Sequence, residues 1–196
     1  MSQLNVNTIT TLSGTDITIP TGKKLVVTDS GGLSVPGTVV QILHSIINNP
    51  SSTQTTSTAY VGLNSSAQVQ ITPKFAGSKF YLTFGGAIAH YNVGSNYGPV
   101  YNFGRSVNGG AYAMVDTTGP IAGIYKNDQT TGHWEDHVMN FSFIDSPSYT
   151  LGQYITYQAF GKRSNSGSDT WLNHHGGLGN QAGSPSLIQI VMEIAQ

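Results

Sequence analysis

From Ala59 onward the chain alternates apolar and polar residues with a period of two: Val69 and Ile71; Phe80, Leu82, Phe84 and Ile88; Tyr101 and Phe103; Tyr112 and Met114. The rhythm resumes at Met139, Phe141 and Phe143, at Ile155, Tyr157 and Ala159, and at Ile188, Ile190, Met192 and Ile194. Successive side chains of a strand point to opposite faces, so each run lays one apolar stripe along its strand. Helical periodicity is missing from every window of about a dozen residues, and clusters of Gly, Pro, Asn and Asp recur too often for a helix to propagate. The pattern predicts an all-β domain: an antiparallel β-sandwich of jelly-roll-like form, each sheet giving one apolar face to a shared core. Val107-Asn108-Gly109-Gly110-Ala111 marks its clearest hairpin, because Asn-Gly supplies the two positive φ angles of a type I′ turn.

Ahead of that domain, the string GGLSVPGTVVQILHSII over residues 31–47 joins two textures of sequence. Gly31, Gly32, Pro36 and Gly37 punctuate a turn. In the strand expected over residues 38–47, Val39, Leu43 and Ile47 fall on one face and Val40, Ile42 and Ile46 on the other. Such a strand is covered on both sides, being either central in its sheet or buried between subunits. Residues 1–36 break into short alternating pieces, Leu4 with Val6, Ile17 with Ile19 and Leu25 with Val27, separated by SGTD, PTGK and DSGG. A piece below about 40 residues usually needs metals, disulfides or association to hold a fold. The chain has no Cys, so these apolar residues are expected to pair with their copies in other subunits or to dock on a larger protein. The expected organisation is an oligomerisation and attachment segment over 1–36 and a sandwich with exposed loops over 37–196.

Charge then narrows the functional classes. Charged residues make up 9% of the chain, against a usual share of about 25%. Eight Lys and Arg without a cluster neutralise few phosphates, which argues against a nucleic-acid partner. No stretch approaches the roughly 20 apolar residues of a membrane span, which argues against insertion. MSQLNVNT lacks the pattern of a secretory signal. A net charge of -1 beside 38% hydrophobic residues is the composition of a folded, neutral-polar chain. The missing Cys also removes disulfide scaffolds and Cys-based zinc sites.

Four strings in order, DITIPTGKKLVVTDSGGLSVPGTVVQ, ITPKFAGSKFYL, FSFIDSPS and the closing IQIVMEIAQ, resemble the tail-fibre and virion-appendage proteins of marine and cyanobacterial phages. In that family an N-terminal segment precedes a C-terminal β-domain, and the resemblance spans nearly the whole chain. It implies a homotrimeric virion protein, attached to phage tail or capsid proteins, whose distal domain meets a host surface glycan or protein. The alternative placement is a head appendage or capsid decoration. From another class, the alternative is a small glycan-degrading enzyme. The loops, HWEDH and WLNHHGG among them, match no motif of that family.

Three segments, 91–99, 117–136 and 163–185, are expected as loops that carry the contacts. In WLNHHGG, Trp171 either stacks on a sugar ring while His174 and His175 read its hydroxyls, or plugs the end of the sandwich. Tyr91, Tyr97 and Trp134 are the other candidate receptor contacts. In HWEDH a helix would put His133 and His137 on one face, but a loop or extended chain ahead of Met139 splits the pattern, and the HExxH of a zinc protease is absent. The preferred reading there is a surface loop with an aromatic anchor. Three copies of one histidine at a three-fold axis would suit a divalent metal, yet none of the six is singled out. Glycoside hydrolysis requires two carboxylates about 5 to 9.5 Å apart. The nine acids are scattered mostly in turns, and Glu135 with Asp136, adjacent on an extended chain, would point to opposite faces. GxSxG and P-loop strings are missing. No catalytic residue, cofactor or metal is assigned.

Overall fold

Alternation of the kind above produces, among the described residues, twelve strands: β1 (Val39–Ile47), β2 (Thr53–Thr55), β3 (Val61–Gly62), β4 (Val69–Ile71), β5 (Lys79–Asn92), β6 (Pro99–Val107), β7 (Ala113–Met114), β8 (Ala122–Gly123), β9 (His133–Asp145), β10 (Ile155–Arg163), β11 (Thr170–Leu172) and β12 (Leu187–Ile194). The computed structural model describes residues 21–23, 35–48, 53–92, 98–124, 133–164, 170–172 and 186–196; for 53–54, 88–92, 133–136 and 170–172 it describes the backbone alone. The chain divides into two compact units, Met1–Leu33 and Ser34–Gln196. In the first, Gly22 takes φ +80° in the turn at residues 21–23. The segment residues Leu4, Val6, Ile17, Ile19, Leu25 and Val27 lie outside the described residues.

In the second unit, one sheet has the order β1-β12-β5-β9 and the other β3-β10-β6-β7, with β4 also on β10, β8 also on β6, and β2 paired with β11. The pairs nest: β1 with β12, β4 with β10, β5 with β9, and β6 with β7, all antiparallel. The chain is thus one long double ribbon folded over itself into two facing sheets, which is the jelly-roll arrangement of an antiparallel sandwich. The hairpin after β6 forms as predicted. Asn108 at φ 51° and Gly109 at φ +77° make the type I′ turn, and the Gly110 N–H donates to the Val107 carbonyl at 3.0 Å.

The core lies between the sheets. Leu82, Phe84, Phe141, Leu187 and Val191 of the first sheet meet Val69, Ile71, Tyr101, Phe103, Ile155 and Tyr157 of the second. Phe141 is the hub, with ring centroids 5.2 Å from Phe84, 4.9 Å from Phe103 and 5.9 Å from Tyr101. Two buried carboxylates fasten the structure, Asp145 between the layers and Glu193 at the connection from β4 to β5. Asp145 of β9 accepts from Arg105 Nη1 of β6 at 2.6 and 2.8 Å and from the Tyr157 hydroxyl of β10 at 2.8 Å. Glu193 of β12, fully buried, accepts from the backbone N–H groups of Lys74 and Phe75, from the Ser78 hydroxyl and from the Gln41 amide.

Three expectations are corrected. Among the described residues β1 is an edge strand of its sheet and not a central one, which leaves burial between subunits as the expectation for its outer face. A bulge between Val39 and Gln41 inserts one residue, which moves Val39 to the face of Ile42 and Ile46 and away from that of Leu43 and Ile47. On β12 the apolar series Ile188, Ile190, Met192 and Ile194 faces away from the core, while Leu187, Gln189, Val191 and Glu193 are the buried set. Both series alternate, so periodicity alone does not choose between them.

Candidate functional site

The outward series on β12 is part of a larger surface. Cross-strand register sets Ile42 beside Met192, Met192 beside Tyr81, and Tyr81 beside Ile144, one apolar row running across all four strands of the first sheet. The next row is His44, Ile190, Thr83 and Ser142, and the next Ile46, Ile188, Gly85 and Asn140. Val39, Ile42, Ile46, Val138, Ile144 and Ile188 are 38% to 78% exposed, whereas the opposite face of the same strands is buried or, along β1, half-buried. An antiparallel sheet facing water normally shows polar residues on its open side. Here the open side carries β-branched aliphatics.

Glycine shapes this face. At Gly85, which has no side chain, the surface dips into a recess of about 330 Å³ walled by Tyr81, Thr83, Asn140, Ser142, Ile188 and Ile190. A Cβ there would press on the Asn140 side-chain oxygen at 2.7 Å. Covering about half of an isoleucine side chain is worth on the order of 1 kcal/mol. A partner seated across these rows therefore gains several kcal/mol from apolar burial alone.

The segments read as loops are shorter than expected. β5 continues through Asn92 and β9 begins at His133, so HWEDH is strand, paired residue by residue with 88–92. Ladder hydrogen bonds join backbones and continue where the apolar pattern has stopped. Tyr91 and Trp134 thereby become register partners. Trp171 stands on β11 opposite Gln54, so it belongs to a short ladder and not to a loop tip. The side chains of Tyr91, Trp134 and Trp171 lie outside the described residues, as do Tyr97, His174 and His175 entirely. Among the described residues no group of three His, Cys, Asp or Glu is placed to hold a metal ion, and no helix is long and apolar enough to cross a membrane.

No family model and no curated protein matches the chain. Among solved structures, dimeric latent PorU from Porphyromonas gingivalis is similar at 10% identity over 85% of this chain, which spans 14% of that protein's length, with a TM-score of 0.34. So slight a likeness carries no argument.

Proposed function

We propose that this chain is a structural protein of a phage virion: a homotrimeric tail fibre that attaches through its N-terminal segment and adsorbs to a host surface glycan or protein through its sandwich. The observation that carries the reading is the apolar face of the β1-β12-β5-β9 sheet, exposed among the described residues. A contiguous apolar surface of this kind marks an interaction site. A second and third copy are its occupants, because a net charge of -1 per chain sets up little repulsion between copies. The resemblance of four ordered strings to phage tail-fibre and appendage proteins supports the virion setting. The jelly roll suits it too, being an architecture shared by viral capsid and lectin domains, although a fold alone does not assign a function. Adsorption needs no catalysis. Three copies on one fibre raise the effective concentration, so weak single-site binding suffices.

Light scattering on the full chain tests the assembly. A mass of three chains is expected at micromolar concentration, with dissociation on Ile42→Asp combined with Ile46→Asp. A stable monomer of the unmodified chain would overturn the reading. Labelled electron microscopy of intact particles tests the placement: signal at the tail supports a fibre, and signal on the shell supports the head appendage instead.

A further inference from the structure

The second sheet carries a recess of about 350 Å³, lined by Tyr60, Met114, Asp116, Thr118, Pro120 and Lys162. Three separate parts of the chain meet there. Tyr60 immediately precedes β3, Lys162 is on β10, and Met114 and Asp116 lie on and just beyond β7; β3 and β10 are neighbours, as are β6 and β7.

The polar groups are held in place before any ligand arrives. Asp116 accepts from the Thr118 N–H at 2.9 Å and from the Thr118 hydroxyl at 2.6 Å, both through Oδ1, so Oδ2 takes part in neither bond. Those bonds hold its carboxyl below the ordinary carboxylate range and keep it charged at neutral pH. The turn beneath is pinned by Asn102, fully buried, whose amide donates to the Asp116 carbonyl at 2.8 Å and the Gly119 carbonyl at 3.1 Å. Lys162 Nζ sits 4.6 Å from the centroid of the Tyr60 ring, a cation–π contact that fixes the ammonium and the ring against each other.

We propose that this recess binds a neutral pyranose unit of a host surface glycan. Met114 and Pro120 supply apolar contact for a sugar's C–H face, and the Tyr60 ring, covered on one face by Lys162, holds the ammonium beside it. Asp116 accepts from ring hydroxyls, while Lys162 and Thr118 donate to them. Charge narrows the class: a ligand of one sign is repelled by one of the two side chains, and an apolar ligand pairs with neither. A polyol, whose hydroxyls both donate and accept, satisfies the two together. The volume falls within the roughly 300 to 1,000 Å³ of small-ligand pockets. The assignment rests on the adsorption reading for the source of its ligand, not for its chemistry.

The test titrates the full chain with the methyl glycosides of glucose, galactose, mannose and N-acetylglucosamine by saturation-transfer NMR, and in parallel measures its adsorption to a panel of intact bacterial cells whose surface glycans display those sugars. At least one glycoside is expected to bind, with affinity falling roughly tenfold or more in Asp116→Asn and in Lys162→Met. Both positions border solvent, and an unchanged Tm would show that each variant is folded. Glycoside binding that survives in both folded variants, or no binding to the parent, overturns the recess assignment. If the parent nonetheless adsorbs to cells, the adsorption reading stands without this site. If the glycoside binds and the variants lose it but cells are not bound, the recess stands and the adsorption reading falls.

Discussion

Replacing Glu193 by Ala removes the acceptor at which four donors converge. Lys74 N donates at 2.9 and 3.1 Å, Phe75 N at 3.2 Å, Ser78 Oγ at 2.7 Å and Gln41 Nε2 at 2.6 Å. Together they fasten the connection between β4 and β5 to β12 and to the edge strand β1. Glu193 is fully buried, so water does not replace the lost acceptor without reorganisation. Leaving a buried donor unsatisfied costs about 1–3 kcal/mol. The two backbone N–H groups cannot turn away, and by themselves set an expected loss of about 2–6 kcal/mol. The Gln variant keeps the shape and one acceptor oxygen but points an N–H₂ at groups that also donate. Its expected loss is that of a charge-assisted bond, about 1.5–3 kcal/mol. Equilibrium unfolding in urea at one fixed protein concentration measures both, since association makes apparent stability depend on concentration. A midpoint shift at constant m is the expected form. An Ala variant within about 0.5 kcal/mol of the parent, or a Gln variant less stable than Ala, refutes the argument that this carboxylate organises the end of the sandwich.

Phe141→Ala should destabilise the domain by about 3–5 kcal/mol, because it empties the centre of the Phe84, Tyr101 and Phe103 cluster; calorimetry that finds no loss would mean the sheets do not meet there. Alkaline pH should unfold the protein. Burial pushes the phenols of Tyr101 and Tyr157 well above 10.0, and for Tyr157 the Asp145 charge and hydrogen bond add to it. Their neutral forms are favoured only in the fold, so this stability is complete below about pH 10, the unfolded value, and is lost as pH rises beyond it at about 1.4 kcal/mol per unit for each phenol. Absorbance at 295 nm should show these two ionising together with the loss of circular dichroism; a reversible titration of all ten tyrosines near pH 10 in a folded chain would contradict it.

Much of the architecture was legible in the sequence because backbone pleat and side-chain alternation are the same period. Phe80, Leu82, Phe84, Phe141, Ile155 and Tyr157 declare a buried face from their own spacing, and all six are core. Asn108-Gly109 declares its turn from φ preference alone. The binding surfaces were not legible in the same way. Tyr60, Asp116 and Lys162 are unremarkable in their own neighbourhoods, and the one local signal, an Asp two residues before a Thr and three before a Gly, says turn and not site.

Local rules, acting over a few residues, therefore determined the all-β class, the main strands and the hairpin. Only the tertiary structure decided which side of the alternating strand β12 is inside. On β12 the outward Ile188, Ile190, Met192 and Ile194 are more apolar than the inward Leu187, Gln189, Val191 and Glu193. The choice turns on partners far along the chain: Glu193 is acceptable inside because Lys74 and Ser78 bring donors to it across 119 and 115 residues, and Gln189 because Ala159 does so across 30. A buried polar group is stabilised by the donors that the fold delivers, and periodicity holds no record of them.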